Sequence, residues 1–169
     1  MLSEVKGNLI KLALTGEFDV IAHGCNCFCT MGAGIAPQMA AYFGCNDFSL
    51  EQSKHKGDIQ KLGCIDFERR FISNGLVYTY DYSVPQRAHG KQLFVVNAYT
   101  QYGFGRNHSN GIEHPLNYNA LILCFQKMNS IFEGKIIGLP WIGCGLAGGD
   151  IDKVRQLIKE HLNKCTVIL

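Results

Sequence analysis

Short apolar runs alternate with amphipathic stretches along this chain. Residues 18–23 form an apolar run of strand type that ends in a cluster of Gly and Asn. Residues 34–43 follow, with Ile35, Met39 and Phe43 at helical spacing. The pattern therefore predicts a first unit of strand, glycine loop and helix.

The rest of the chain predicts six further elements: strands at 76–82, 92–98, 136–142 and 166–169, and helices at 117–132 and 151–162. A turn-prone segment, residues 85–90, joins the first two of these strands and allows them to be antiparallel. Apolar strands that alternate with helices are typical of an α/β sheet covered on both faces. We therefore expect a three-layer α/β/α fold with a mixed central sheet.

The length and net charge of the chain limit the classes of ligand that we expect it to bind. The 169 residues contain no linker or repeat, which predicts a single domain over residues 1–169. The net charge of +2 comes without any stripe of Lys and Arg, so an extended nucleic-acid interface is not expected. A small-molecule ligand, with no bound cofactor, fits this composition better.

The eight cysteines are scattered, and the start of the chain shows no apolar signal region. We therefore expect free thiols, a cytoplasmic location and no membrane segment. The spacing Cys25-x-Cys27-x-Cys29 differs from that of zinc knuckles, and no second Cys/His pair at metal spacing follows it. The expectation is a site without metal.

Two glycine-rich segments each lie between a predicted strand and a predicted helix. The first glycine loop is residues 23–36, and the second glycine loop is residues 143–150. Glycines allow backbone N–H groups to approach an anion closely, and a following helix N-terminus adds partial positive charge. A tight strand–helix turn without ligand is the alternative for either loop, and Asp150 could be only the N-cap of the last helix.

The two loops resemble those of macro domains. Asn26 with Gly-Ala-Gly-Ile-Ala at 32–36 is similar to the macro-domain ribose loop, and residues 143–150 resemble its phosphate loop. Lys6-Gly7-Asn8-Leu9 resembles the segment that the family uses near adenine, although Asn8 stands where the family has Asp. The resemblance implies an ADP-ribose-type ligand bound by Asn8, Gly32, Ala33, Gly34, Ile35, Gly143, Cys144, Gly145, Leu146, Ala147 and Gly148.

Within the family, the branch of ADP-ribose-1″-phosphate phosphatases and terminal ADP-ribose glycohydrolases is the most similar. Residues 145–150 resemble the phosphatase version, and no lysine stands near residues 99–101, where glycohydrolases have one. The resemblance implies a phosphatase acting on ADP-ribose-1″-phosphate. An ADP-ribosyl hydrolase acting on modified macromolecules and a non-catalytic ADP-ribose reader remain as alternatives.

Four polar or aromatic residues are candidates for roles around the bound ligand. Asp150 would orient water or transfer a proton, Asn26 would bond the distal ribose, and His23 would position water or phosphate. His23 is alternatively a satisfied histidine at a strand end. Tyr99 is expected to line the ligand cleft, with core packing as its alternative. Cys144 lacks the Cys-x5-Arg pattern of cysteine phosphatases, because position 150 is Asp.

Overall fold

Seven strands form one mixed sheet in the computed structural model, which describes residues 1–52, 55–83, 85, 90–105 and 114–168. The strands are β1 (Leu2–Val5), β2 (Val20–Asn26), β3 (Ile65–Ser73), β4 (Leu76–Tyr78), β5 (Lys91–Gln101), β6 (Ile137–Leu139) and β7 (Cys165–Ile168). Their order across the sheet is β1-β7-β6-β2-β5-β3-β4. The first five strands in this order, β1, β7, β6, β2 and β5, are parallel to one another. β3 is antiparallel to both of its neighbours, β5 and β4.

Four helices cover the two faces of this sheet. They are α1 (Leu9–Leu14), α2 (Ala36–Phe43), α3 (Tyr118–Ile131) and α4 (Ile151–His161). The apolar sides of α3 and α4 pack on one face, with Phe125 and Val154 fully buried. The apolar sides of α1 and α2 pack on the other, with Met39 and Phe43 buried. The predicted three-layer α/β/α architecture with a mixed sheet is confirmed.

The two middle strands, for which the turn allowed an antiparallel arrangement, are not neighbours in the sheet. β4 ends at Tyr78 and does not pair with β5, because β3 lies between them and is antiparallel to both. β3 carries charged residues at Glu68, Arg69 and Arg70, which hide its strand pattern. Residues 86–89 of the predicted turn, and Leu169 of the last predicted strand, lie outside the described residues.

Sequence features explain where the well-predicted helices begin and end. Asn117 caps α3 by accepting a hydrogen bond from the Ala120 N–H at 2.9 Å. α2 has Pro37 in its first turn and ends at Gly44, which has a φ of 66°. Both ends therefore follow from residue types that are favoured at helix termini.

Gly138 in β6 provides a test of how tightly the sheet packs. A Cβ at this position would lie 2.7 Å from the Phe18 ring. We expect Gly138→Ala to lower the free energy of unfolding by about 1–3 kcal/mol, which is typical of overpacking a core. Urea denaturation measures this loss, and Gly145→Ala, which adds the same methyl group to open space, is the control. Equal midpoints for the two variants would contradict the packing.

Candidate ligand-binding site

Both glycine loops open at the same edge of the sheet. β2 and β6 are parallel neighbours, and their carboxyl ends lead into the two loops. The first loop leaves β2 at Asn26 and reaches α2 at Ala36, while the second precedes α4. Carboxyl ends of neighbouring parallel strands are where open α/β sheets bind ligands.

Three glycines of the second loop are required by packing within the protein. A Cβ on Gly143 or Gly149 would lie within 2.5 Å of the Leu116 side chain, and one on Gly148 would lie 2.7 Å from His114. Gly143 and Gly148 also have left-handed φ values of 76° and 70°. These glycines are explained by the fold alone.

Gly32 and Gly145 have a different environment. Among the glycines whose surroundings the structure describes, only these two combine an ordinary φ with a Cβ position that has no heavy atom within 4 Å. One lies in each loop, and both are exposed. Gly34 also faces open space, but its φ of 63° already favours glycine. The described residues therefore leave the space above Gly32 and Gly145 free.

Two backbone donors of the second loop have no acceptor among the described residues. The N–H groups of Gly145 and Leu146 donate to no other described residue, and Leu146 is 77% exposed. By contrast, the Gly149 N–H donates to the Gly143 carbonyl at 2.8 Å and closes the loop, and Ala147 is buried beneath it. Consecutive free N–H groups next to a helix N-terminus suit an anion.

Asp150 caps α4 and remains exposed. Its Oδ1 accepts a hydrogen bond from the Lys153 N–H at 2.7 Å, and its own N–H donates to the Tyr118 hydroxyl at 2.9 Å. The N-cap role considered for Asp150 is therefore present. A chemical role remains a prediction, for which its exposed position at the end of the loop is suitable.

Asn26 uses its amide to shape the first loop. Its Oδ1 accepts from the Phe28 N–H at 3.0 Å, and its Nδ2 donates to the Thr30 carbonyl and hydroxyl oxygens at 3.0 and 2.8 Å. The side chain is 6% exposed. Asn26 therefore holds the loop in place, and its hydrogen bond to a ribose stays a prediction.

His23 is buried at the centre of a polar network. Asn97 donates from Nδ2 to the Cys45 carbonyl at 2.9 Å, so its Oδ1 faces His23 Nε2 at 2.8 Å. Nε2 therefore carries the proton and donates it to Asn97. Burial lowers the pKa of His23 to about 4, although the bond to Asn97 opposes the shift. At 0% exposure, the imidazole is neutral and out of reach of a ligand in this conformation.

Tyr99 is fully buried, which corrects its predicted place in the cleft lining. Alternation along β5 directs it to the α1/α2 face of the sheet, as it does Asn97. Its hydroxyl lies close to the Glu51 carboxyl, and burial raises the pKa of both groups. Shortly after β5, Phe104 is 55% exposed, and its ring centroid lies 6.0 Å from that of the half-buried Phe28.

Cys144 shows no sign of activation. Burial, with a smaller effect of the Asp150 charge, raises the pKa of its thiol to about 11, so the thiol is protonated near neutral pH. Among the described residues, no group of three or more His, Cys, Asp and Glu side chains is arranged to hold a metal ion. Within the same part of the chain, no helix is long and apolar enough to cross a membrane.

The remaining predicted contacts lie around the two loops. Asn8 is exposed and caps α1, with Oδ1 accepting from the Lys11 N–H at 3.0 Å. Ala33 is exposed beside Gly32 and Gly34, whereas Ile35 is half-buried and packs against the core beneath α2. The structure thus brings the predicted loop residues to one sheet edge and places Asn8 at the start of α1.

No protein-family model matches the chain. An uncharacterized 17.5 kDa protein from the tk–vs intergenic region of Enterobacteria phage T4 is 29% identical over 98% of this chain and 92% of that protein. A Bacteroides thetaiotaomicron protein of unknown function is 26% identical with a TM-score of 0.70, covering 100% and 98% of the two chains. The macrodomain of Thermus aquaticus DarG is 22% identical with a TM-score of 0.63, covering 99% and 97%.

The chain has the macrodomain fold. A longer protein, Thermosipho africanus DarTG in complex with ADP-ribose, matches with a TM-score of 0.69 and 18% identity. The match covers 99% of this chain and 40% of that one. At this level of identity the similarity concerns the fold, and the function rests on the site itself.

The residues that support the second loop were not predicted from the sequence. Leu116 donates its N–H to the Ala147 carbonyl at 3.1 Å and packs against Gly143 and Gly149. Tyr118 accepts from the Asp150 N–H, and the Lys153 ammonium lies 3.8 Å from the centre of its ring. Leu116 lies before α3 and Tyr118 in its first turn, and neither position gives a local signal of contact with a loop near residue 145. The density of glycines there was the only hint of a close neighbour.

The burial of His23 predicts a pH dependence of stability. Its pKa is 6.5 in an unfolded chain and about 4 when folded, so protons bind preferentially to the unfolded state between these values. The contribution of neutral His23 to the free energy of unfolding is fully present above pH 6.5. It decreases by on the order of 3 kcal/mol as the pH falls to 4. Urea unfolding of wild type and His23→Gln from pH 7 to 4 measures it.

Comparison with His23→Gln isolates this effect from the opposing effect of acidic residues. Burial raises the pKa values of Glu51 and Asp66, so their ionisation destabilises the fold as the pH rises. This effect of Glu51 and Asp66 is the same in wild type and in His23→Gln. The stability difference between wild type and variant should therefore shrink as the pH falls, and a constant difference would contradict a neutral buried His23.

Proposed function

We propose that this domain binds ADP-ribose through its two glycine loops. The observation that carries the proposal is the open space over Gly32 and Gly145, where neither the backbone conformation nor any neighbour among the described residues requires glycine. A ligand that approaches both loops closely would explain both residues. Solved structures of the same fold support this choice of ligand, since those from Thermosipho africanus and Oceanobacillus iheyensis contain ADP-ribose.

The chemistry of the two loops suits the two parts of this ligand. The N–H groups of Gly145 and Leu146, with the N-terminus of α4 behind them, favour the negative charge of the diphosphate. The backbone around Gly32 and Gly34 is open to the distal ribose. Asn8 is available near the start of α1 for a contact with the base.

Within this binding function, we propose hydrolysis of ADP-ribose-1″-phosphate as the reaction. Of the three predicted catalytic residues, only Asp150 is exposed, since His23 and Asn26 are 0% and 6% exposed. Its carboxylate would orient the water that attacks phosphorus or protonate the departing 1″ oxygen. Loop N–H groups would stabilise the charge on the phosphoryl oxygens.

Gly32→Ala and Gly145→Ala test the binding site directly. We expect each to fold with wild-type stability, because the added methyl group meets no protein atom. Each should weaken ADP-ribose binding at least about tenfold, equivalent to roughly 1.4 kcal/mol, because the methyl group occupies the space of the ligand. Calorimetric titration measures the affinity, and thermal melting checks the fold.

Two comparisons make this titration specific. Ser130→Thr, which adds a methyl group to an exposed site in α3, should leave the affinity unchanged. Wild type should bind ADP-ribose more tightly than AMP, because the loops are expected to contact the diphosphate and distal ribose. Unchanged affinity in both alanine variants, or equal affinity for the two ligands, would contradict the proposed site.

Asp150→Asn separates the capping role from the chemical one. Asparagine caps helices about as well as aspartate, so stability and ADP-ribose binding should change little. Removal of the carboxylate should lower phosphate release by about 10²–10⁴-fold if Asp150 acts in the reaction. Phosphate release from ADP-ribose-1″-phosphate provides the measurement.

Asp152→Asn is the matched control, because it removes a carboxylate from the first turn of the same helix. It should retain turnover. Equal turnover in wild type and Asp150→Asn would remove Asp150 from the mechanism. Wild-type binding without any phosphate release would exclude the phosphatase. Release of ADP-ribose from modified macromolecules would then favour the hydrolase, and its absence would favour the reader.

A further inference from the structure

A buried ammonium group lies against a thiol at the start of the first glycine loop. Lys61 is 3% exposed, and its Nζ lies 3.2 Å from the Sγ of Cys29. The other neighbours of Nζ are the carbonyl oxygens of His55 at 3.0 Å and Cys27 at 3.5 Å. Among the described residues, no carboxylate oxygen lies within 4 Å of this ammonium group. Neither glycine-loop chemistry nor the proposed reaction uses this pair.

The hydrogen-bond arrangement orients the two groups toward each other. The three hydrogens of the ammonium group match its three acceptors, which are two carbonyl oxygens and one sulfur. The Cys29 thiol donates its own hydrogen to the Leu50 carbonyl at 3.4 Å, which leaves a sulfur lone pair for Lys61. When Lys61 loses one proton, its two remaining hydrogens satisfy the carbonyl oxygens. The nitrogen lone pair then points at Sγ.

We propose that Cys29 and Lys61 form a modification site, in which a peroxide oxidises the thiol and a sulfur–nitrogen bond then joins the two side chains. In the first step Sγ attacks the peroxide, the O–O bond breaks, and Cys29 becomes a sulfenic acid with release of water. In the second step Nζ attacks Sγ, the S–O bond breaks, and a second water carries away one amine proton. The protein loses two hydrogens, and the peroxide is reduced to water.

The geometry favours this second step over other fates of the sulfenic acid. A separation of 3.2 Å between nucleophile and reacting atom lies within the range of near-attack positions. Cys29 is half-buried, so a small oxidant has access. Its φ of 59° is unusual for a non-glycine residue, and the surrounding bonds hold it there. The cross-link would tie the start of the first glycine loop to the turn at Ile59–Lys61.

The charge environment predicts how the rate depends on pH. Burial and the nearby Glu51 carboxylate raise the pKa of the Cys29 thiol, and the hydrogen bond and positive charge of Lys61 oppose this shift only in part. The thiol is therefore protonated near neutral pH, and a higher pH supplies the thiolate that the first step needs. Cross-linking should accelerate as the pH rises.

Mass spectrometry of the full chain tests the proposal without any ligand. Reduced protein is treated with hydrogen peroxide at pH 7 and pH 9, free thiols are then alkylated, and the protein is digested with trypsin without reductant. We expect residues 12–54 joined to residues 57–69 with the bond after Lys61 uncut, two hydrogen masses below the sum of the two peptides. A disulfide to Cys64 differs, since trypsin would still cut after Lys61.

The variants identify the atoms involved. Cys29→Ser should abolish the joined product. Cys64→Ser is the control, because Cys64 also has a lysine nearby, with Lys127 Nζ 3.8 Å from its sulfur. This variant should retain the joined product. A thiol reductant should restore cleavage after Lys61. Complete cleavage after Lys61 in oxidised wild type at both pH values would overturn the proposal, as would a joined product that survives in Cys29→Ser.

Discussion

The parallel pairing of β2 with both β5 and β6 is the constraint on which the site depends. Parallel neighbours end at the same edge, so two loops that are more than a hundred residues apart in sequence meet there. Antiparallel β3 is added beyond β5, outside the pair of strands β2 and β6 that leads into the two loops. The antiparallel strand pairs thus lie on the side of the sheet away from the second loop.

The glycines of the site serve two distinct purposes. Gly143, Gly148 and Gly149 allow the second loop to lie directly on Leu116 and His114, which is a requirement of the protein interior. Gly32 and Gly145 meet no such requirement. A glycine-rich sequence alone cannot separate these groups, because the distinction depends on which neighbour a Cβ would meet. The neighbours come from the segment before α3, far away along the chain.

The parts of the fold that could be predicted from sequence are those in which local pattern and tertiary role agree. α3 and α4 have both apolar periodicity and a capping side chain, and their predicted bounds are correct to within one residue. β3 has Glu68-Arg69-Arg70 within the strand, and it forms because β5 offers an open edge. α1 has only six residues, too few for a periodic signal. The order in which the other strands pair was likewise not predictable from local sequence.

Burial explains why the candidate site residues were only partly predicted. His23, Asn26 and Tyr99 lie at or just after the ends of the predicted strands, and sequence alone treats polar residues at such places as exposed to a ligand. The structure turns His23 and Tyr99 to the α1/α2 face, where the segment after α2 covers them. There Asn97 joins β5 to His23 of β2 and to the Cys45 carbonyl.

This network gives the buried polar residues a positioning role. The segment from Phe43 to Leu50 is held to the sheet by Arg70, which donates to the Phe43 carbonyl at 2.9 Å, and by Asp66, which accepts from the Leu50 N–H at 2.8 Å. Asn97 makes the third attachment, at Cys45. α2, which immediately precedes this segment, is therefore fixed over the sheet, and with it the end of the first glycine loop. Of the three predicted catalytic residues, His23 and Asn26 are thus engaged inside the protein, and Asp150 alone is exposed at the open edge of the sheet.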